Sequence, residues 1–209
     1  MFNLNPSTKR VGLLGGSFDP IHRAHIQLAC AARDQQQLDR IDLIPAFQPW
    51  QRTKTQANAK QRLEMTRLAA SQELKISVNP LEIERAGLTY TIDTINALEP
   101  GCHYYWILGA DQLSNFCTWR DWQEIAQRLT LLVAQRPHTP LVIPSLLQER
   151  IHLGKANVEL LNFEPLNISS SDIRHRLARQ QPVDHLVDKL VLQYIKEHNL
   201  YSSTPETSD

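Results

Sequence analysis

Cysteine is scarce in this 209-residue chain: Cys30, Cys102 and Cys117 are odd in number and scattered. That argues against a disulfide framework and fits free thiols in a reducing compartment. Net charge is absent as well, with 22 basic residues against 22 acidic ones. No global basic field is left for duplex nucleic acid. No apolar run approaches the ~20 residues needed to span a bilayer. Met1 to Thr8 carries neither a basic cluster nor a long apolar segment, so no signal peptide is expected. These absences predict a soluble, cytoplasmic protein with neither nucleic acid nor membrane as partner; they leave the oligomeric state open. Internal repeats and low-complexity tracts are missing too. The one boundary candidate is Gln135 to Leu146, with Pro137, Pro140 and Pro144, and such prolines read as a surface loop. One domain is expected over 1–201, long enough to bury a core. The polar tail 202–209 is expected to be disordered.

What is present concentrates in Val11 to His25. Leu13 and Leu14 close a short apolar run, as in a parallel strand buried on both faces. Gly15 and Gly16 allow a sharp turn and a close ligand approach. Pro20 suits a helix start, and His22 and His25, three apart, share a face on a helix. Free N–H groups, the helix dipole and two imidazoles then converge on one point, which suits a phosphate. Taken alone, the glycine pair reads as an ordinary turn and the histidines as structural. As a zinc site the histidines lack nearby third and fourth ligands. A second helix start lies at Ser169, with Asp172 three residues on, a capping-box-like pattern.

Apolar runs alternate with helix-period segments along the rest of the chain. Strands are expected at Arg40 to Pro45, Leu74 to Val78, Tyr104 to Leu108, Thr130 to Ala134 and Val158 to Phe163. Helices are expected at Ile26 to Arg33, Ala59 to Ser71, Thr91 to Leu98, Trp119 to Leu129, Ser170 to Arg179 and Val183 to His198. Phe47 to Asn58 reads as a loop. The alternation predicts an α/β fold, a Rossmann-like doubly wound parallel sheet with C-terminal helices.

Gly15-Gly16-Ser17-Phe18-Asp19-Pro20-Ile21-His22-Arg23-Ala24-His25 resembles the GGTFDPxHxGH signature of HxGH-type nucleotidyltransferases, specifically the bacterial nicotinate-nucleotide adenylyltransferase family. Ser17 stands for the usual Thr and Ala24 for the usual Gly. Ile168-Ser169-Ser170-Ser171-Asp172-Ile173-Arg174 resembles the ISSTxIR motif of the same family. Between them, Gly109-Ala110-Asp111 resembles its G-x-D segment, Thr118-Trp119 its T-W motif, Leu88-Thr89-Tyr90-Thr91 its S-Y-T segment and Arg136-Pro137 its R-P turn. Pro49-Trp50-Gln51-Arg52 lies where the family has Pro-Pro-His followed by a basic residue, so Arg52 keeps the charge while Gln51 replaces the histidine. Each segment also has a plain reading: a cap, a strand exit, a core aromatic, a solvated loop arginine.

The resemblance implies adenylyl transfer from ATP to nicotinate mononucleotide in NAD biosynthesis, giving deamido-NAD and pyrophosphate. It implies His22, His25 and Arg174 as the catalytic groups. ATP is expected against Gly15, Gly16, Ser17, Phe18, His22, His25, Asp111, Arg136, Ile168, Ser169, Ser170, Ser171 and Arg174. The mononucleotide is expected against Ser17, Arg52, Tyr90, Thr91 and Trp119, with Trp119 stacked on the pyridine ring. Mg²⁺ is expected to ride on the phosphates, with no ligand from the protein. Phosphopantetheine adenylyltransferase shares the HxGH logic but gives no reason for Thr118-Trp119. A nucleotide-binding regulator without turnover and a fragment of a class I aminoacyl-tRNA synthetase are the rivals from outside this reading.

Overall fold

The computed structural model describes residues 8–49, 55–135, 141–164 and 166–202. In chain order the elements are β1 (Lys9–Gly16), α1 (Arg23–Gln35), β2 (Arg40–Pro45), β3 (Gln48–Pro49), α2 (Ala59–Ala70), β4 (Ile76–Val78), α3 (Leu81–Arg85), β5 (Leu88–Thr89), α4 (Thr91–Asn96), β6 (Cys102–Gly109), α5 (Ala110–Ser114), a 3₁₀ turn (Phe116–Thr118), α6 (Trp122–Arg128), β7 (Thr130–Gln135), α7 (Ser145–His152), β8 (Asn157–Asn162), α8 (Ser170–Ala178) and α9 (Lys189–Glu197). Six strands form one sheet in the order β4-β2-β1-β6-β7-β8, and every pairing is parallel. The order reverses between β1 and β6. Neighbouring crossovers leave from there to opposite faces, which opens a crevice at the carboxyl ends of those two strands.

Both faces of the sheet are buried, so successive residues of one strand feed two separate cores. Leu14, Tyr105, Ile107 and Leu132 pack with α1, α2, α8 and α9. Leu13, Tyr104, Trp106, Leu108 and Leu131 pack with α4, α5, α6 and α7. Each such side chain stabilises the fold by about 1.5–3 kcal/mol on burial. Among the described residues no helix is long and apolar enough to cross a membrane.

Several elements differ from the sequence expectation. The last helix starts at Lys189, not Val183: the Asp188 carboxylate accepts the Leu190 N–H at 2.8 Å and caps it there. Val183, Leu186 and Val187 have helical spacing but are buried in the turns before it. Helix α6 starts at Trp122 because Asp121 takes a left-handed φ of 52° and interrupts any extension back to Trp119. Helices α3 and α7, and the two-residue pair β3–β5, were not expected at all. On α2 the buried face carries Arg62 and Thr66 with Met65 and Ala69, while Arg67 is exposed.

Candidate active site

Strand β1 delivers Gly15 and Gly16 to the crevice in extended conformation, not in a turn. Their lack of side chains serves close approach instead. A Cβ on Gly16 would sit 2.7 Å from the Phe18 ring, and one on Gly15 3.1 Å from the Trp106 indole. The chain turns at Phe18, at a φ of 47°, and α1 follows. His22 is the N-cap of α1 and His25 its third residue, so only His25 lies within the helix. The rings stack at 3.7 Å between centroids. The His22 backbone N–H donates to His25 Nδ1 at 3.3 Å, which leaves the ring hydrogen of a neutral His25 on Nε2. His22 is 6% exposed and its Nδ1 has no partner. Burial lowers its pKa to about 4, so its ring is neutral at neutral pH and its orphaned nitrogen calls for a polar guest.

The start of α8 lies against the start of α1. The Ser170 hydroxyl donates to the Pro20 carbonyl at 3.0 Å, and Ser169 Oγ accepts the Asp172 N–H at 3.1 Å. Arg174 donates to the Asp19 carbonyl at 2.7 Å and to Ser171 Oγ at 3.2 Å. The Asp19 carboxylate is buried and gathers three further donors: the N–H groups of Gln56 and Ala57 and the Tyr201 hydroxyl, at 2.8, 3.1 and 2.7 Å. Beneath the same loop lies the fully buried Arg62, donating to the Ser17 carbonyl at 2.6 Å and the Phe47 carbonyl at 2.8 Å. Burial lowers its pKa and Asp19 raises it; a guanidinium stays charged under such opposition.

These contacts shape a cleft of about 440 Å³. Of the residues expected at the site, it brings together Gly15, Gly16, Ser17, His22 and His25 with Ile168, Ser169, Ser170 and Ser171, and adds Thr91 and Trp119. Others stand back from the lining. Phe18 lies under Gly16, edge-on to His25. Tyr90 caps α4 beneath the Arg120 guanidinium. Asp111 is exposed on α5, where Gln112 faces the cleft. Arg174 reaches the loop backbone. Arg52 and Arg136 lie outside the described residues. Arg62, Asp19 and Glu82 escaped the sequence reading; a charged residue on the inner face of an amphipathic helix was the available signal for Arg62. Trp119 is largely a core side chain, packed on Trp106 and Phe116 with one side left to the cleft.

Ala24 does not line the cleft. The methyl that departs from the HxGH pattern therefore lies outside the lining of the cleft. Ala24→Gly is expected to leave the KM for ATP within about twofold, since at a half-buried position off the cleft the change costs mainly helix propensity. A gain of tenfold in steady-state kinetics would show that the methyl does reach the nucleotide.

Among the described residues no group of three or more histidine, cysteine, aspartate or glutamate side chains could hold a metal ion. The one carboxyl in the lining, Glu82, is hydrogen-bonded to Thr94.

The cytidylyltransferase-like family model matches residues 13–176. A Bordetella petrii protein named "Probable nicotinate-nucleotide adenylyltransferase" is 51% identical over 193 residues, covering 92% of this chain and 99% of the relative. A Corynebacterium glutamicum protein of the same name is 36% identical, covering 96% and 91%. The solved Plasmodium falciparum nicotinic acid mononucleotide adenylyltransferase complexed with NaAD superposes with a TM-score of 0.74 at 22% identity, over 95% of this chain and 100% of that one. It shares the fold.

Proposed function

Because the chain belongs to the nicotinate-nucleotide adenylyltransferase family, among the cytidylyltransferase-like proteins, we propose that its cleft joins ATP to nicotinate mononucleotide. The products are deamido-NAD and pyrophosphate, a step of NAD biosynthesis. The observation that carries this reading is the meeting of two helix starts, His22–His25 and Ser169–Ser171, on one cleft at the sheet's switch point.

The mononucleotide's phosphate oxygen attacks the α-phosphorus of ATP, and the bond to pyrophosphate breaks. That oxygen is already ionised near neutral pH, so no general base is required. Catalysis then rests on alignment and on donors aimed at the growing charge. His25 and the neutral His22 supply ring N–H groups to the phosphates. Ser170, Ser171 and the free N–H groups of α8 hold the departing pyrophosphate. Arg174, tied to Asp19 and Ser171, fixes the two helix starts in register and adds its charge. A divalent cation such as Mg²⁺, riding on the triphosphate, would neutralise part of its charge, and Ser170 and Ser171 would meet the same phosphates. Ile168 and Gln112 wall the nucleotide side; Arg136 and Arg52 are assigned to ATP and to the mononucleotide phosphate.

The reading is tested by pyrophosphate release from Mg·ATP with nicotinate mononucleotide, nicotinamide mononucleotide or phosphopantetheine offered separately. Turnover with the first, well above the others, is expected. Turnover with none despite ATP binding would make the chain a nucleotide-binding regulator.

The Trp119 indole gives the pyridine ring a flat face. Trp119→Ala is expected to lower the Tm, as truncation of a largely core side chain does, and in the folded enzyme to raise the KM for the mononucleotide about tenfold, well beyond any change in the KM for ATP. An unchanged mononucleotide KM would take Trp119 out of the site.

A further inference from the structure

Glu82 is out of place by ordinary rules. It is 3% exposed, on the short helix α3, and yet it lines the substrate cleft. A buried carboxyl costs stability that an apolar residue would not. Its Oε1 accepts the Thr94 hydroxyl at 2.5 Å, and Thr94 is itself fully buried on α4. Three residues before Thr94, and so on the same face of α4, stands Thr91, which also lines the cleft. Glu82 and Thr91 are thus neighbours on one wall. The wall is backed by Ile92 and Ile95, buried beside α6, and by Thr89, whose Oγ accepts the Gln48 N–H at 3.4 Å. Between α3 and α4 the chain reverses through Ala86 and Gly87, at φ values of 58° and 79°, and then adds only the two residues of β5 to β3.

We propose that Glu82, through its hydrogen bond to Thr94, positions the Thr89–Thr91 wall and sets how well the cleft takes a mononucleotide bearing a ring carboxylate. The proposal rests on the functional reading above and names a specificity determinant within it. A neutral carboxyl at Glu82 can sit beside a second carboxylate; an ionised one repels it.

The surroundings support the neutral form. Burial raises the Glu82 pKa to about 7, while the Thr94 hydrogen bond and Arg85 of its own helix favour the ion and Asp93 of α4 opposes it. The other elements packed most closely on α3 are β2 and α2. Their buried charges are Asp42 and Arg62, and both are otherwise engaged. Asp42 accepts from Ser77 and Arg40, and Arg62 holds Ser17 and Phe47. The sign follows directly. Below pH 7 the free enzyme already carries the proton that the acid mononucleotide favours. Above it, binding competes with ionisation.

The test is steady-state kinetics of wild type, Glu82→Gln and Thr94→Val, each substrate varied in turn, with nicotinate and nicotinamide mononucleotides compared. For wild type the KM of the acid is expected to rise about tenfold more than that of the amide between about pH 6 and about pH 8. Both substrates carry the same phosphate, so its own titration cancels. Glu82→Gln keeps the acceptor without the charge and is expected to abolish this difference. Thr94→Val removes the donor at constant shape and is expected to raise the KM of both mononucleotides about fivefold, leaving the KM for ATP and kcat within about twofold. Equal pH profiles for acid and amide in wild type, or a Thr94→Val effect shared equally by ATP, would overturn the proposal. If Thr94→Val does not fold, the Glu82→Gln profile alone decides. Wild type that turns over with no mononucleotide refutes the functional reading, and this inference with it; wild type that turns over normally confines any failure to Glu82.

Discussion

Replacing His25 with alanine is expected to lower turnover by about a hundredfold or more, the usual loss when one donor to a developing charge is removed. The structure makes this a clean experiment. His25 is the third residue of α1, where alanine is the best helix former. Its ring is not a core side chain, so no large cavity is left. Its orientation is held by contacts that include the His22 backbone N–H on Nδ1, the stacked His22 ring and the edge of Phe18. A cleft-lining ring held in this way is placed before any phosphate arrives, and such preorganisation is what electrostatic catalysis needs. Turnover within a few-fold of wild type, with an unchanged melting temperature, would falsify the role given to His25.

The second large effect concerns stability. Arg62→Met is expected to cost about 3 kcal/mol, the range found when one partner of a buried charged network is deleted. For a chain of this length that is a fall in Tm of roughly 10 °C. Methionine fills much of the space but donates nothing. The Ser17 and Phe47 carbonyls then lose their donor, and Asp19 loses a nearby positive charge. Arg62→Lys should fall between the two, because one ammonium cannot serve two carbonyls in the fork geometry of a guanidinium. Calorimetry decides the matter, and a change of less than about 2 °C would mean that the two loops hold without the arginine. Activity should fall with stability, since Ser17 forms part of the cleft.

Strong periodicity was easy to read. Arg40–Pro45 is a strand at the residues its apolar run marks, and α2 ends within one residue of its expected bounds. Where burial and periodicity part, the reading failed. Helix α7 buries only Leu147, so it has no stripe to detect, and the prolines before it suggest a loop. Val183, Leu186 and Val187 imitate a stripe but fill a turn. At the site, the glycine-histidine and serine segments were legible because each is a contiguous string on one loop and helix start. Glu82, Arg62 and Asp19 were not. Their meaning lies in partners 12, 45 and 182 residues away; the helix pattern marks Arg62 as buried, but no local pattern names those partners. The loop from Gly15 to Pro20 looks self-contained in sequence, but it is held by α2, α8 and the end of the described chain.

The bond from Tyr201 to Asp19 also orders events in time. A ribosome adds about 5–20 residues each second, so the 182 residues between these partners take roughly 10–40 seconds to make. Throughout that interval the first loop of the nascent chain has its aspartate but lacks the hydroxyl that seals it. Helices α8 and α9 are missing from that face of the sheet for most of the same period. The candidate pocket therefore waits on residues made at both ends of this interval, and a ribosome-bound chain stalled before Tyr201 would carry the signature without the bond that seals its loop.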